Sequence, residues 1–319
     1  MMNAPCWVIF YHYLRASASA CGPGIRPLSA DHFAQQLDWL AARAEIIDYD
    51  TFAAAMAARR GFARPSVLLT FDDGVADHLA VAHAELARRG LSGVFFVNGD
   101  PFEPTPRLLN VHRAHLLLDA LGAAPLLSEV RRILSAEVTA VRAQSSGVYR
   151  YDGEPEQVVK RLLNYELPYD DLDRVLTTLV GTHLGHEAAI AKRFYLSSTD
   201  VQHMSRHGMT FGYHTRKHRV LSRLDEAGQA EELTDGVALV QQLTGQSSVP
   251  FCYPYGHQHT FNATSIRLLR ELGYERAFTT GRRPARPEAD EPFEIPRFDT
   301  VDLPPRTTAA VGLPQGLHS

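Results

Sequence analysis

The chain has 319 residues and 45% hydrophobic content, enough to bury a sizeable core in one large domain or two small ones. Its formal net charge of -4 creates no basic field, which argues against nucleic acid or an anionic membrane surface as the main partner. The sequence contains no recognisable secretory leader, no apolar run of membrane-spanning length and only Cys6, Cys21 and Cys252, so we expect a cytoplasmic protein without a disulfide framework.

Strand and helix patterns alternate through the first hundred residues. Ser29 is the predicted N-cap of an amphipathic helix, and Asp50 is predicted to cap another helix that ends near Arg60. A third helical pattern starts at Val75 and stops at Gly90. The predicted strands are Cys6 to His12, Glu45 to Ile47, Ser66 to Phe71 and Val94 to Val97. This alternation predicts a parallel α/β fold.

The pattern changes after Asn98, where three prolines close the alternating run. We predict a mainly helical insertion over residues 100–195, with helices at 111–121, 126–141 and 169–180 and a turn at 151–154. Because it leaves the carboxyl end of a strand, we expect it to contribute to a substrate pocket. The alternative is an outgrowth that packs on the barrel side or makes an oligomer contact.

Regular alternation resumes at Thr199, the predicted N-cap of a helix over residues 201–207. Two further helices are predicted, one from Asp225 to Leu243 and one that Gly273 stops. The predicted strands are 209–213, 249–253, 276–279 and 293–298. An irregular tail is expected at 303–319.

Two adjacent carboxylates, Asp72 and Asp73, follow the strand that ends at Phe71, and Gly74 breaks that strand. Adjacent carboxylates repel each other unless a cation lies beside them, so the pair suggests a metal site with a spare acid. A solvated turn is the alternative.

His214 and His218 follow another predicted strand at i, i+4 spacing, which can bring both imidazoles to one ion. Two imidazoles and one carboxylate leave a coordination position open, as catalytic zinc-type sites require. A chance surface pair is the alternative for the histidines alone. Since carboxyl ends of parallel strands converge, the two motifs together make coincidence improbable.

Three motifs resemble a known family. The sequences TFDDG at Thr70 to Gly74, HTRKH at His214 to His218 and YPYG at Tyr253 to Gly256 resemble the first three motifs of the polysaccharide deacetylases, carbohydrate esterase family four. The resemblance covers about 6–98 and 199–298. It implies a distorted (β/α) barrel of seven strands and metal-dependent hydrolysis of an N-acetyl or O-acetyl group.

The resemblance also implies a role for each matched residue. Asp72 would be the general base, and Asp73, His214 and His218 would bind one divalent metal ion. The backbone N–H of Tyr255 would help to form the oxyanion hole.

Two departures concern an arginine and a histidine. Many family members have an arginine at the position of Cys252, and many take the general-acid histidine from a motif near the C-terminus that is missing here. The stretch Phe10 to Tyr13 is similar to a permuted subgroup, the poly-N-acetylglucosamine deacetylases, in which that histidine follows the first strand. His12 is therefore the predicted general acid, and Arg297 is the predicted replacement for the missing arginine.

These observations together predict a single deacetylase domain over residues 1–319 that hydrolyses an N-acetyl group of an amino sugar and releases acetate. The substrate would be a sugar nucleotide, a glycoside or a saccharide intermediate. Ligand type favours Zn²⁺, with Fe²⁺, Co²⁺ or Ni²⁺ as alternatives. A deacylase or deformylase of a non-carbohydrate N-acyl compound and a non-catalytic saccharide-binding barrel are the competing hypotheses. Homo-oligomerisation stays open.

Overall fold

The computed structural model describes residues 4–17, 22–134 and 154–305. Its strands are β1 Cys6–Tyr11, β2 Leu14–Arg15, β3 Leu28–Ser29, β4 Glu45–Ile47, β5 Ser66–Phe71, β6 Val94–Val97, β7 Thr210–Tyr213, β8 Phe251–Cys252, β9 Ala277–Phe278 and β10 Phe298–Asp299. Its α-helices are α1 Ala30–Ala41, α2 Tyr49–Ala57, α3 Ala84–Arg89, α4 Asn110–Leu121, α5 Ala123–Ile133, α6 Glu154–Arg161, α7 Tyr169–His183, α8 Glu187–Phe194, α9 Ser198–Arg206, α10 Glu226–Leu233, α11 Gly236–Thr244 and α12 Ala263–Glu271.

Eight of the strands in the described part of the chain form one parallel sheet. Seven make a continuous row in the order β10-β1-β5-β6-β7-β8-β9. The eighth, β4, pairs with the first half of β5, whereas β6 pairs with its second half. The sheet curls into a half-barrel surrounded by helices, which confirms the predicted barrel-like α/β fold.

Alternating side chains of the strands form two separate cores. In β1, Trp7, Ile9 and Tyr11 pack toward the surrounding helices, while Cys6 and Val8 belong to a second cluster. That second cluster also contains residues of β5, β6, β8 and β9 and is joined by aromatic side chains of α2. Because both faces are covered, the strands are almost continuously apolar in sequence, as buried parallel strands are.

The residues between β6 and β7 form helices and have a core of their own. Leucines and valines of α4, α5, α6 and α7 make a buried cluster that is distinct from the two cores of the sheet. Residues 135–153 lie outside the described part of the chain, so the second half of the predicted helix 126–141 and most of the predicted turn do too. Likewise, residues 306–319 of the predicted tail are outside it.

Several predicted helix boundaries were wrong. Asp48, not Asp50, caps α2, and its side chain accepts a hydrogen bond from Thr51 N at 2.8 Å. Ser197, not Thr199, caps α9 and forms a reciprocal capping box with Asp200. The segment after Gly74 enters a π-helical turn at His78–His83 before α3 begins.

The helix predicted from Asp225 to Leu243 is divided into α10 and α11. Gly236 begins α11 in a crowded position, because a Cβ there would lie 2.1 Å from atoms of both Tyr213 and Tyr274. No helix in the described ranges combines the length and apolar character needed to cross a membrane.

Candidate metal centre and active site

The two acids of the first motif lie at the carboxyl end of β5, in the middle of the sheet. Asp72 N donates a hydrogen bond to Tyr11 O at 2.9 Å, so the pairing of β1 with β5 extends to this residue. Asp73 follows with a φ of 75° and Gly74 with a φ of 58°. Left-handed backbone at a non-glycine residue is uncommon and is concentrated at functional sites. This turn directs two successive carboxyl groups to different partners.

Asp73, His214 and His218 converge at this edge of the sheet. Asp73 Oδ1 lies 3.5 Å from Nε2 of His214 and 3.5 Å from Nε2 of His218. All three side chains are buried, and Asp73 Oδ1 has no hydrogen-bond partner in the described part of the chain. A buried carboxylate oxygen without a donor is costly. A divalent ion bound by bonds of about 2.1 Å at tetrahedral angles needs ligand atoms about 3.4 Å apart, so these residues fit a metal.

The surroundings of the two imidazoles keep both rings uncharged. His214 Nδ1 lies 2.7 Å from Cys252 O, so Nδ1–H donates to this carbonyl and Nε2 keeps its lone pair toward Asp73. Burial lowers the pKa of His214, and it lowers the pKa of His218 to about 3. Both rings are therefore uncharged at neutral pH, the form in which imidazole binds a metal.

The loop that carries both histidines is held by neighbouring strands and helices. Thr215 and His218 have φ values of 64° and 57°, and His218 N donates to Thr215 Oγ1 at 3.0 Å. Asn98, which follows β6, donates from its side chain to the carbonyls of His214 and Thr215. Glu232 on α10 accepts from Lys217 N at 2.8 Å. These contacts fix a backbone conformation that side chains would otherwise disfavour.

Asp72 is held by a buried arginine, and its carboxylate also lies within 4.8 Å of ligand atoms of His214 and Cys252. Arg297 donates from Nη1 to Asp72 Oδ1 at 2.8 Å and from Nη2 to Asp72 Oδ2 at 2.7 Å, a bidentate pair. The arginine also donates to Thr70 Oγ1 and to Thr279 O. Burial acts to raise the pKa of Asp72, but the guanidinium more than offsets it, and the net pKa is lowered. Asp72 is thus a charged carboxylate at neutral pH.

His12 and Cys252 lie on the other sides of Asp72. His12 Nε2 is 3.8 Å from Asp72 Oδ2, and 41% of the His12 side chain is exposed to solvent. Cys252 lies where the resemblance predicts an arginine in many family members, and Arg297 Nη2 reaches its Sγ at 2.9 Å. Arg297 therefore approaches Asp72 from the segment before β10 and occupies the space beside the small thiol.

Tyr255 follows β8 and lies close to the histidine pair. Its backbone has a φ of 63°, and its ring centroid is 4.9 Å from that of His218. The turn is closed by Thr280, whose Oγ1 donates to Tyr255 O at 3.2 Å. The predicted role of the Tyr255 N–H in an oxyanion hole stays a prediction.

His112 is a residue of the site that the sequence analysis did not single out. It lies on α4, is completely buried, and its Nε2 is 3.2 Å from Asp73 Oδ2. On the other side its Nδ1 is 2.6 Å from Tyr195 Oη, which itself accepts from Leu109 N at 2.9 Å. Because the Asp73 carboxylate can only accept, Nε2 of His112 carries a proton and donates it to Oδ2. This hydrogen bond occupies Oδ2 of Asp73, so Oδ1 is the oxygen that faces His214 and His218.

The same region joins the insertion to the first motif. Tyr195 pairs with Val75 in an antiparallel bridge, Ala76 N donates to Phe194 O at 2.8 Å, and Leu196 N donates to Gly74 O at 2.8 Å. The end of the insertion is therefore bonded to the residues that directly follow Asp73. Its middle approaches the third motif, since the Tyr165 and Tyr255 rings have centroids 4.9 Å apart.

A cavity of about 670 Å³ opens next to the turn after β8, and its lining does not include the two aspartates or the two histidines described above. Gly256, which follows Tyr255, contributes to its wall, together with Thr280 and Pro296. Arg283 and Arg286 give it polar character. The volume is in the range of sites that bind small molecules.

Comparison with known proteins identifies the family of this domain. The polysaccharide deacetylase family model matches residues 175–277, a segment that contains His214, His218 and the Tyr253 to Gly256 turn. The chain contains a polysaccharide deacetylase domain. The protein YxkH of Bacillus subtilis, which is named for the same family, is 24% identical over 102 residues, and the match covers 32% of this chain and 33% of that protein.

Three solved structures share the fold of this chain over nearly its whole length. The deacetylase PplD of Streptococcus pyogenes, in complex with acetate, is 16% identical with a TM-score of 0.58 and covers 95% of each chain. IcaB of Ammonifex degensii is 17% identical with a TM-score of 0.56, over 94% of this chain and 93% of that one. A de-N-acetylase of Aggregatibacter actinomycetemcomitans is 14% identical with a TM-score of 0.55, over 96% of this chain and 98% of that one.

Proposed function

We propose that this protein is a metal-dependent hydrolase that removes an N-acetyl group from an amino sugar and releases acetate. The observation that carries the proposal is the separation of two neighbouring carboxylates into different environments. Asp73 faces two neutral imidazoles, whereas Asp72 is bound by Arg297 and faces the exposed His12. Pairs of titratable groups whose surroundings give them different pKa values are typical of acid-base catalysis.

Asp73, His214 and His218 are the residues that would hold the ion. A divalent cation bound there would polarise the acyl carbonyl and make a water molecule more acidic. Their three ligand atoms leave a coordination position open, which suits catalysis and not a closed structural site. Zn²⁺ is the first choice by ligand type, followed by Fe²⁺, Co²⁺ and Ni²⁺.

Asp72 is the proposed general base and His12 the proposed general acid. Arg297 keeps the Asp72 carboxylate charged and fixed, so that it can take a proton from the attacking water. The water oxygen bonds to the acetyl carbon, the carbon–nitrogen bond breaks, and His12 protonates the departing amine. Since His12 Nε2 and Asp72 Oδ2 are 3.8 Å apart, the proton on Asp72 can return to His12 directly or through one water molecule.

A saccharide is the substrate class that best suits the surroundings of the site. The cavity beside Gly256 has room for at least one sugar ring and presents polar groups such as Arg283 and Thr280. The Tyr165 and Tyr255 rings supply an aromatic surface next to His218. We further propose that the insertion forms part of the substrate pocket through Tyr165 and supports the metal ligand Asp73 through His112.

The test is acetate release from a panel of N-acetylated sugar nucleotides, glycosides and oligosaccharides, with N-formylated and non-carbohydrate N-acyl amines included. The matched control is Asp72→Asn, which keeps the proposed ligands and removes the base. We expect turnover of an N-acetyl sugar by the wild type and its loss in the variant, with metal retained in both. Turnover of the non-carbohydrate amides alone would contradict the amino-sugar substrate and favour a deacylase of non-carbohydrate N-acyl compounds. No turnover by a protein that binds saccharide would favour the non-catalytic hypothesis.

A further inference from the structure

Three histidines outside the active site approach each other at one position on the surface. His83, His203 and His207 each offer a ring nitrogen, and these nitrogens all lie within 4.8 Å of one another. The ring centroids are 4.4 Å apart for His203 and His207, 5.3 Å for His83 and His203, and 5.8 Å for His83 and His207. None of the three contributes to the site formed by Asp73, His214 and His218.

The local structure leaves ligand nitrogens available. His203 lies in the last turn of α9 and His207 follows the helix end, so their rings are one helical turn apart. His207 Nδ1 is 2.8 Å from His203 O, so Nδ1–H donates to that carbonyl and leaves the Nε2 lone pair free to bind an ion. His83 Nε2 is buried and has no hydrogen-bond partner among the described residues. A buried ring nitrogen without a partner is an unusual feature that a ligand would explain.

We propose that His83, His203 and His207 form a second binding site for a divalent transition-metal ion of the zinc class. Neutral imidazoles suit Zn²⁺, Ni²⁺ and Cu²⁺, whereas Mg²⁺ and Ca²⁺ prefer oxygen ligands. His203 and His207 are exposed, so solvent can supply the fourth ligand. The ion would enter from solution and bind two exposed rings and one buried ring.

A metal ion at this site would connect two segments of the chain that lead to the active site. His83 ends the π-helical turn that follows the Asp72 and Asp73 loop. The other two histidines end the helix that precedes β7, the strand that leads to His214. An ion that binds the folded protein but not the unfolded chain stabilises the fold by mass action. The second metal therefore stabilises the fold and takes no part in hydrolysis.

The test is equilibrium dialysis of the whole protein against micromolar Zn²⁺, followed by elemental analysis of bound metal. We expect two equivalents for the wild type, one for His203→Ala/His207→Ala and one for His214→Ala/His218→Ala. The matched control is His32→Ala/His183→Ala, which removes two exposed histidines from other helices and should keep two equivalents. Using separate variants for the two sites distinguishes failure of this proposal from failure of the proposed active site.

Thermal unfolding provides the second measurement. Zn²⁺ should raise the unfolding midpoint of His214→Ala/His218→Ala, in which the histidine cluster is the site left, and a chelator should reverse the increase. The His203→Ala/His207→Ala variant should keep the turnover number of the wild type within about twofold, since neither ring contacts the acyl-transfer residues. The proposal is overturned if this variant still binds two equivalents, or if the His32→Ala/His183→Ala control loses one as well.

Discussion

Replacing Arg297 by methionine tests the link between fold and catalysis at Asp72. The methionine keeps the apolar part of the side chain but leaves a buried carboxylate without its cationic partner. The pair is 1% and 3% exposed and is joined by two hydrogen bonds. Removing one partner of such a buried pair costs about 3–5 kcal/mol of unfolding free energy, because the other charge stays buried and unpaired. We expect Arg297→Met to lose stability in this range.

Chemical denaturation with urea measures this loss, and two further variants show its origin. Arg267→Met removes an exposed arginine that pairs with Glu226 and Glu271 on the surface, and it should leave the midpoint nearly unchanged. In Asp72→Asn/Arg297→Met the charged pair is removed as a unit. The double variant should lose less stability than the sum of the two single variants, because neither charge is left alone.

Catalysis supplies an independent measurement of the same contact. Without the bidentate donor, the Asp72 carboxylate loses both its fixed orientation and the charge that opposes the effect of burial on its pKa. We expect kcat of Arg297→Met to fall by about 10²-fold, the scale of losing a positioned acid-base group, with metal content unchanged. Two results together would refute the role assigned to this arginine. They are a near-normal kcat in Arg297→Met, and a loss of unfolding free energy in the double variant that equals the sum of the losses in the two single variants.

Four further predictions concern the ligands, the base and two buried histidines. Replacing His214 or His218 by alanine should remove one metal equivalent and activity together, as elemental analysis and acetate assays would show; a full metal complement would contradict the ligand assignment. Asp72→Asn should retain metal and lose about 10²-fold in kcat, and near-normal kcat would mean that the roles of the two aspartates are wrong. His112→Ala should weaken metal affinity by about 10–100-fold in a dialysis titration, and unchanged affinity would exclude a supporting role. Burial lowers the pKa of His78 from 6.5 to about 4, so the folded state resists protonation of this ring. The unfolded chain takes up the proton first, and the free energy of unfolding should therefore decrease by roughly 3 kcal/mol as the pH falls from 6.5 to 4. In His78→Gln the urea unfolding midpoint should depend less on pH between pH 4 and 6.5 than in the wild type. An unchanged pH dependence would contradict the assignment of this effect to His78.

The sheet and the positions of the four motif residues were predictable because they depend on local patterns. Apolar runs of four to six residues bounded by acids, histidines and glycines mark the ends of β5 and β7. Parallel strands share one carboxyl edge, so Asp72, Asp73, His214 and His218 had to lie near one another once the strands were recognised. Their distances confirm this proximity, while their catalytic and metal-binding roles stay predictions.

Features that depend on distant residues were not predictable from those patterns. The division between α10 and α11 occurs where the backbone at Gly236 packs against Tyr213 and Tyr274, which are far away in sequence. His112 belongs to an ordinary helical pattern, and its function depends on where the insertion places α4. Nothing in the stretch Val111 to Leu121 distinguishes it from His115 or from the other histidines of the chain. A buried histidine acquires its role from the partner that packing brings to it.

The end of the insertion and the helix α4 within it are joined to the residues of the first motif. The family model matches residues 175–277 and so includes His214 and His218, but it leaves out Asp73 and His112. These two residues contact each other, and the return of the insertion through Tyr195 is bonded to the segment after Asp73. A change in the position of His112 or Tyr195 would therefore act on the carboxylate that faces His214 and His218. Substrate preference and metal affinity should consequently vary together when the insertion is altered, since the same helices would line the pocket and support the ligand.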